Sequence, residues 1–238
     1  MNIQRIIAGC KQRIIAKISN RKNNNVFVLM LHEVTDGACP IHPEISITKD
    51  NFANLLDRIS DKGIPIVPLS EISDSHKKQI VLTFDDIFES AFINAFPLLE
   101  ERGIPYTVFI SSEYIDKPSF VTASNIEQLK SSALCTIGFH GEKHLMMRGL
   151  SDNEIAQVTS QKRFESEFNV KCEAFAFPYG SIYACPKRAY KEVFKNSYRY
   201  VFSTVNSSTT SKKIKSEDVS VPRLCVSDSS WAQIIKKL

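Results

Sequence analysis

Short apolar runs alternate with longer amphipathic segments along this chain of 238 residues. The apolar runs are rich in β-branched and aromatic residues and predict strands at residues 26–31, 79–84, 106–110, 135–139, 174–177, 199–204 and 219–221. Apolar residues at helical spacing predict helices at residues 47–62, 88–102, 125–131, 151–168 and 186–195, with a short helix at the C-terminus. Strands and helices that alternate in this way form a parallel sheet, so we expect an α/β fold.

The N-terminal segment has a different pattern. Ile3, Ile7, Cys10 and Ile14 recur at helical spacing, and the basic residues lie largely on the other faces of the predicted helix. Such a helix can contact anionic lipid, but the pattern favours packing against the rest of the protein. We therefore divide the chain into a basic amphipathic helix at residues 1–22 and a single domain at residues 23–238.

Charge and hydropathy exclude several functional classes. The net charge of +4 is small and scattered, which argues against nucleic-acid binding. No apolar run approaches the roughly 18 residues that cross a bilayer. Lys11, Arg13 and Lys17 interrupt the apolar stretch that a signal peptide would need. We expect a cytoplasmic protein, with the inner membrane face as the one membrane surface that its first helix could contact.

Imidazole and carboxylate side chains follow three of the predicted strands. His32 follows the first, Asp85 and Asp86 follow the second, and His140 and His144 follow the fourth. The carboxyl ends of parallel strands share one edge of the sheet, so these groups should lie together. One carboxylate and two imidazoles can bind zinc or a similar divalent ion and leave a position open for water and substrate. The four-residue spacing of the histidines suits one face of a helical turn.

Three motifs make a family resemblance specific. Thr83-Phe-Asp-Asp86, His140-Gly-Glu-Lys-His144 and Phe177-Pro-Tyr-Gly180 resemble, in order and spacing, the successive motifs of the polysaccharide deacetylase, or NodB-homology, family of carbohydrate esterases. The resemblance extends from Leu31-His32 to Val221-Pro-Arg-Leu224. It implies a distorted (β/α) barrel in which residues 23–238 are the catalytic domain.

The resemblance also implies roles for individual residues. The first Asp of the pair, Asp85, corresponds to the general base, and Asp86, His140 and His144 correspond to the metal ligands. Zinc is the expected ion.

The Pro-Tyr-Gly segment has an implied role as well. The backbone N–H of Tyr179 corresponds to a donor for the oxyanion, in a loop whose shape Pro178 and Gly180 fix.

The chain departs from the family pattern near these motifs. Ile87 replaces the Gly that commonly follows the Asp pair, and Gly141 replaces the Ser or Thr that follows the first metal His. The Arg that often precedes Pro-Tyr-Gly and orients the catalytic Asp is absent. Arg223 is the candidate substitute, although a structural role after a strand explains it equally well.

The acid that protonates the leaving amine is a second departure. The Leu-x-His motif that supplies it in many members is absent near the C-terminus. A branch of the family that includes exopolysaccharide deacetylases uses a His at the position of His32. His32 is therefore the candidate acid, and substrate binding or ordering of the rim is the alternative.

These features predict a metal-dependent hydrolase that removes the N-acetyl or a related acyl group of a sugar. The expected substrate is a glycan or a lipid-linked precursor of a surface polysaccharide. The alternative is a glycan-binding member of the same fold that has lost activity. An iron oxygenase with two histidines and one carboxylate is disfavoured, because Asp86 precedes His140 by more than a whole βα unit.

Overall fold

The computed structural model describes residues 3–19, 24–37 and 42–238. The strands are β1 Val26–Leu31, β2 Glu33–Thr35, β3 Ser46–Thr48, β4 Gln79–Asp85, β5 Tyr106–Ile110, β6 Cys135–Phe139, β7 Ala174–Ala176, β8 Tyr200–Phe202, β9 Ser220–Val221 and β10 Leu224–Cys225. The helices are α1 Ile3–Ser19, α2 Lys49–Asp61, α3 Glu89–Asn94, α4 Phe96–Glu101, α5 Ala123–Ser131, α6 Asp152–Val158, α7 Lys162–Phe168, α8 Lys187–Val193, α9 Ser211–Ile214 and α10 Trp231–Lys237.

One parallel sheet organises these elements. Its eight strands pair in the order β10-β1-β4-β5-β6-β7-β8-β9. The short strands β2 and β3 pair separately. The large sheet curls into a distorted (β/α) barrel, and its two edge strands, β9 and β10, are joined by Pro222 and Arg223. The predicted fold class, a single-domain barrel of this type, is confirmed.

Alternate residues of the strands pack on opposite faces of the sheet. Val26 and Val28 of β1 belong to a small cluster that also draws on β4, β5, β7, β8 and β9 and fills the barrel interior. Leu29 and Leu31 belong to the larger cluster between sheet and helices. This two-sided burial explains why the parallel strands are continuous apolar runs in the sequence.

Two long predicted helices are each two short ones. The segment at residues 88–102 divides into α3 and α4, because Pro97 at the start of α4 has no N–H for a helical hydrogen bond. The segment at residues 151–168 divides into α6 and α7. The Val158 carbonyl accepts a hydrogen bond from the Glu142 N–H at 2.7 Å, and the Thr159 carbonyl accepts one from the Tyr198 hydroxyl at 2.7 Å. These two carbonyls are therefore bonded outside the helix, and the helix ends there.

The segment at residues 206–216, which reads as an exposed loop in the sequence, contains helix α9 and several buried residues. Hydrogen bonds of the Thr209 backbone explain why the segment is not an exposed loop. Its N–H donates to the Val26 carbonyl at 2.9 Å, and its carbonyl accepts from the Val26 N–H at 3.0 Å. Two backbone hydrogen bonds to β1 therefore hold the segment against the barrel.

Helix α1 covers Ile3–Ser19, and one of its faces packs against the barrel. Ala8 is buried on that face. Gln12 bonds to two loops: its Nε2 donates to the Thr204 carbonyl at 3.2 Å, and its Oε1 accepts from the Ile182 N–H at 3.0 Å. Across the described ranges, no helix has the length and apolar character needed to cross a bilayer.

Candidate metal centre

Asp86, His140 and His144 converge at the carboxyl ends of β4 and β6. One potential ligand atom from each lies within 4.8 Å of the other two. Asp86 Oδ1 is 3.3 Å from His140 Nε2 and 3.2 Å from His144 Nε2. Among the described residues this buried oxygen has no hydrogen-bond partner. A buried carboxylate oxygen that faces two ring nitrogens is a donor set suited to a divalent metal ion, so this group could hold one.

The second ring nitrogen of His140 fixes the direction of the first. Its Nδ1 lies 2.8 Å from the Ala176 carbonyl of β7. The carbonyl can only accept, so Nδ1 carries a hydrogen, and Nε2, which faces Asp86, is the ring nitrogen that could bind a metal ion. Burial lowers the pKa of His140, but the carboxylates of Asp85 and Asp86 raise it further, so the net shift is upward. The same carboxylates favour a cation at this place.

His144 reaches the centre from a loop. The prediction that a helical turn places the two histidines together is wrong, because residues 140–146 contain no helix. Gly141 has φ +96°, and a Cβ there would meet the carbonyls of Lys143 and Val158 at 3.2 Å each. The turn therefore requires glycine where the family commonly has Ser or Thr. Burial chiefly lowers the pKa of His144 to about 4, so its imidazole is neutral at neutral pH.

A strained turn begins at Asp86, directly after Asp85. Asp86 and Ile87 have φ values of 63° and 53°, a region that non-glycine residues rarely adopt. Ile87 is fully buried in the core, and its N–H donates to the Asp85 carbonyl at 2.7 Å. Core packing thus holds an isoleucine where glycine is common, and the turn directs Asp86 to the histidines. Burial raises the pKa of Asp86, but the two imidazoles lower it well below its usual range.

Asp85 points instead into the barrel and pairs with Arg223. Arg223 Nη1 donates to Oδ1 at 2.7 Å, and Nη2 donates to Oδ2 at 2.6 Å. The Arg223 side chain is completely buried, and its Nε donates to the Ser203 carbonyl at 3.1 Å. Burial raises the pKa of Asp85, but the guanidinium and His140 lower it more, so the carboxylate stays ionised at neutral pH. The structure places Arg223 where it can orient Asp85.

Tyr179 lies at the rim of the centre. Its ring centroid is 4.6 Å from that of His144, and within the described residues its N–H has no hydrogen-bond partner. Thr204 Oγ1 donates to the Tyr179 carbonyl at 3.1 Å. A Cβ on Gly180 would approach Thr204 Cγ2 to 2.6 Å, so only glycine fits between Tyr179 and the next loop. Pro178, the other residue assigned to this loop, precedes Tyr179 in the turn.

His32 follows β1 and is partly buried. Its Nδ1 is buried and has no hydrogen-bond partner in the described part of the chain. Burial lowers the pKa of His32, while the nearby carboxylates of Asp85 and Asp86 oppose that shift. All of the side chains assigned from the sequence thus lie at or beside the barrel mouth.

Sequence reasoning missed the loop after β5. Glu113 accepts a hydrogen bond from the His144 N–H, and the Tyr114 ring lies 5.6 Å from the His144 ring. The Ser112 N–H also donates to the Gly141 carbonyl at 3.1 Å. Strand β5 lies between β4 and β6, so its carboxyl end had to lie beside the candidate metal ligands. The position of β5 beside these strands was the feature that could have identified this loop as part of the site.

Comparison with known proteins agrees with this geometry. The model of the polysaccharide deacetylase family matches residues 73–201, which include Asp85, Asp86 and both proposed histidine ligands. Arg223 and His32 lie outside the matched region. Poly-beta-1,6-N-acetyl-D-glucosamine N-deacetylase of Staphylococcus aureus is 25% identical over 176 residues, 68% of this chain and 59% of that protein. The chain therefore matches less than two thirds of that relative.

Solved structures share the fold. IcaB from Ammonifex degensii has a TM-score of 0.75 at 22% identity and covers 90% of this chain and 97% of its own. The deacetylase PplD of Streptococcus pyogenes, solved with acetate, has a TM-score of 0.75 at 17% identity, with coverage of 89% and 97%. These similarities hold over nearly the whole barrel.

Proposed function

The chain belongs to the polysaccharide deacetylase family, and on this basis we propose that it is a zinc-dependent hydrolase that removes acetyl groups from an N-acetylated sugar. One observation carries the proposal: Asp86, His140 and His144 converge beside a second carboxylate, Asp85, that Arg223 holds in place. The name of the staphylococcal relative supports an N-acetylglucosamine polymer or its precursor as substrate. We assign catalysis to residues 23–238 and an accessory role to residues 1–22. A cytoplasmic location and the lack of a nucleic-acid partner stay predictions.

Asp86, His140 and His144 would hold the zinc ion. When bound, such an ion lowers the pKa of a water molecule and polarises the acyl carbonyl. The nitrogen and oxygen donors fit zinc, and the Ala176 carbonyl keeps His140 in the required tautomer. Neutral His144 offers a lone pair without first losing a proton.

Asp85 accepts a proton as water attacks the acyl carbon. Its carboxylate is ionised, and Arg223 holds both oxygens in fixed directions, so little reorganisation is needed. The N–H of Tyr179 donates to the oxygen that becomes negative in the tetrahedral state. Close contact of Gly180 with Thr204 fixes the turn that carries this N–H.

Cleavage of the carbon–nitrogen bond needs a proton on the leaving nitrogen. We assign the transfer of this proton to His32, which lies beside the carboxylates and whose Nδ1 has no partner among the described residues. Because burial lowers the pKa of His32, its ring starts neutral, and the proton that Asp85 takes from water is the one that His32 passes to the leaving nitrogen as the carbon–nitrogen bond breaks. The products are acetate and a free amine. The missing Arg and the missing Leu-x-His motif of the family pattern favour the noncatalytic alternative, and the Arg223 pair with Asp85 weakens the first of these two arguments.

Metal-stripped protein is expected to bind one zinc ion tightly, and His140→Ala and Asp86→Asn are expected to abolish that site. Each removes a direct ligand, so the loss should exceed the roughly 10–100-fold that removal of an outer-shell partner costs. Isothermal titration calorimetry measures both affinity and stoichiometry. His76→Ala, a histidine outside the site, is the control and should bind as wild type does. Unchanged binding in both ligand variants would favour a glycan-binding protein without catalysis.

His32→Gln is expected to lower kcat on an N-acetylated sugar by about 10²–10⁴-fold, the usual contribution of a general acid or base. An aryl acetate has a leaving group that departs without a proton, so its hydrolysis should fall much less. Steady-state rates on the two substrates give the comparison. Equal losses on both would assign His32 to substrate binding or to order at the rim instead.

A further inference from the structure

Helix α1 carries a concentration of exposed apolar side chains. Among the described residues, four of the eight large hydrophobic residues that are exposed lie in this one helix: Ile6, Ile7, Ile14 and Ile15. Ile7 and Ile14 are seven residues apart and therefore lie on one line along the helix, 50% and 58% exposed. Ile6 and Ile15 lie about 90° to either side of this line, which is here named the isoleucine face. It lies opposite the face that Gln12 ties to the barrel.

The charges of α1 match an anionic surface. The helix contains no Asp or Glu, and its four basic residues, Arg5, Lys11, Arg13 and Lys17, are all exposed. At 100° per residue, Lys11 and Lys17 flank the isoleucine face on its two sides. Lysines in this position can keep their ammonium groups among lipid headgroups while their stems cover apolar surface. An apolar face with only cationic flanks is complementary to an anionic bilayer surface.

Gln12 connects this helix to the candidate active site. It bonds to the Thr204 carbonyl and to the Ile182 N–H, and Thr204 in turn bonds to the Tyr179 carbonyl. A groove of about 430 Å³ lies between the helix and this loop, with Arg5, Arg13 and Tyr179 among its lining residues. The isoleucine face is thus separated from the rim of the site by roughly one helix diameter, about 10–12 Å.

We propose that α1 binds the surface of an anionic lipid bilayer through its isoleucine face, and that the enzyme acts on N-acetylated sugars held at that surface. The second half rests on the proposed function. The isoleucine face runs along the length of the helix, so the bound helix would lie in the plane of the interface. The sugar of a lipid-linked substrate would then enter the groove beside Tyr179, where Arg5 and Arg13 can pair with a phosphate linkage.

Cosedimentation of the full chain with vesicles tests the first half. We expect binding to phosphatidylcholine vesicles that contain phosphatidylglycerol, weaker binding to phosphatidylcholine alone, and weaker binding as ionic strength rises. Ile7→Gln combined with Ile14→Gln should lower the partition coefficient on the order of tenfold or more, because two apolar side chains no longer enter the interface. Lys11→Gln and Lys17→Gln should each lower it by about fivefold.

Ile93→Gln is the matched control. Ile93 is 58% exposed, as Ile14 is, but it lies on α3 and outside the isoleucine face. Its substitution should leave vesicle binding unchanged. Lack of wild-type binding to anionic vesicles, or equal binding by the double isoleucine variant and wild type, would overturn the proposal.

A rate comparison tests the second half and separates it from the proposed function. The ratio of acetate release from a lipid-linked N-acetylglucosamine in vesicles to release from a soluble oligosaccharide should fall in the double isoleucine variant by the factor that vesicle binding falls. An unchanged ratio would refute the surface-held substrate. Asp85→Asn should bind vesicles as wild type does, because Asp85 lies inside the barrel. Vesicle binding by a wild-type protein that releases no acetate would refute the proposed function while the lipid contact stands.

Discussion

Arg223→Met is expected to lower the free energy of unfolding by about 3–5 kcal/mol at neutral pH, the usual cost of breaking a buried ion pair by removing one partner. Both side chains of the pair are almost completely shielded from water, and the guanidinium bonds to both Asp85 oxygens. It also lies 5.5 Å from the Phe109 ring and 5.7 Å from the Phe202 ring inside the barrel. Without it, Asp85 is a buried anion without its guanidinium partner, and activity should be lost as well.

A double-mutant cycle measured by urea unfolding tests this expectation. Asp85→Asn alone also destabilises, since it removes the carboxylate that pairs with buried Arg223. The combined variant buries neither charge and should be more stable than the sum of the single losses implies. Arg58→Met is the control, because Arg58 pairs with Asp61 on the surface and should contribute less than about 1 kcal/mol. An Arg223→Met protein as stable as wild type would contradict the assigned pair.

The pH dependence of this loss has a definite sign. In the wild type the pKa of Asp85 lies below its usual range, so the pair stabilises the protein above about pH 4, the ordinary pKa of an aspartate, and loses that effect as pH falls further. Without Arg223, burial favours the protonated form of Asp85. The difference in stability between wild type and Arg223→Met should therefore be largest at neutral pH and shrink in acid.

Much of the barrel mouth follows from the period of two along a strand. Val81 belongs to the cluster that fills the barrel interior, and Phe84 belongs to the cluster between sheet and helices. Asp85, four residues after Val81, therefore points inward at the end of β4. The same reasoning applies to His32 after Val28 of β1. The alternation predicts from sequence that strand-end residues of one parity meet at the mouth.

The rest depends on contacts between residues that are distant in sequence. Arg223 and Asp85 are 138 residues apart, and no local pattern relates them. The break between α6 and α7 arises because Glu142, in the loop that carries His144, takes the Val158 carbonyl. The helical pattern at residues 151–168 contains no sign of that competition. Sequence periodicity therefore predicts the helices and strands and the face on which each side chain lies. Helix breaks and ion pairs inside the barrel can be seen only in the folded structure.

Asp85→Asn is expected to lower kcat by about 10²–10⁴-fold while zinc binding persists. Asn has nearly the shape of Asp, and its amide oxygen can still accept one bond from Arg223, but it cannot take a proton from water. Asp86, the next residue, faces both histidines with its Oδ1, whereas Asp85 bonds to Arg223. Substitution of Asp85 should therefore lower the rate without loss of zinc, whereas substitution of Asp86 should abolish zinc binding.

The comparison of Asp85→Asn with Asp86→Asn separates base from ligand. Calorimetry should give one zinc per chain for Asp85→Asn and none for Asp86→Asn, with acetate release low in both. Rates are best taken well below the unfolding temperature of each variant, because Asp85→Asn also leaves Arg223 buried without a carboxylate. Loss of zinc in Asp85→Asn would mean that both carboxylates bind the metal. Full activity in Asp85→Asn would remove Asp85 as the base and leave proton acceptance to another group at the barrel mouth, with His32 as a candidate.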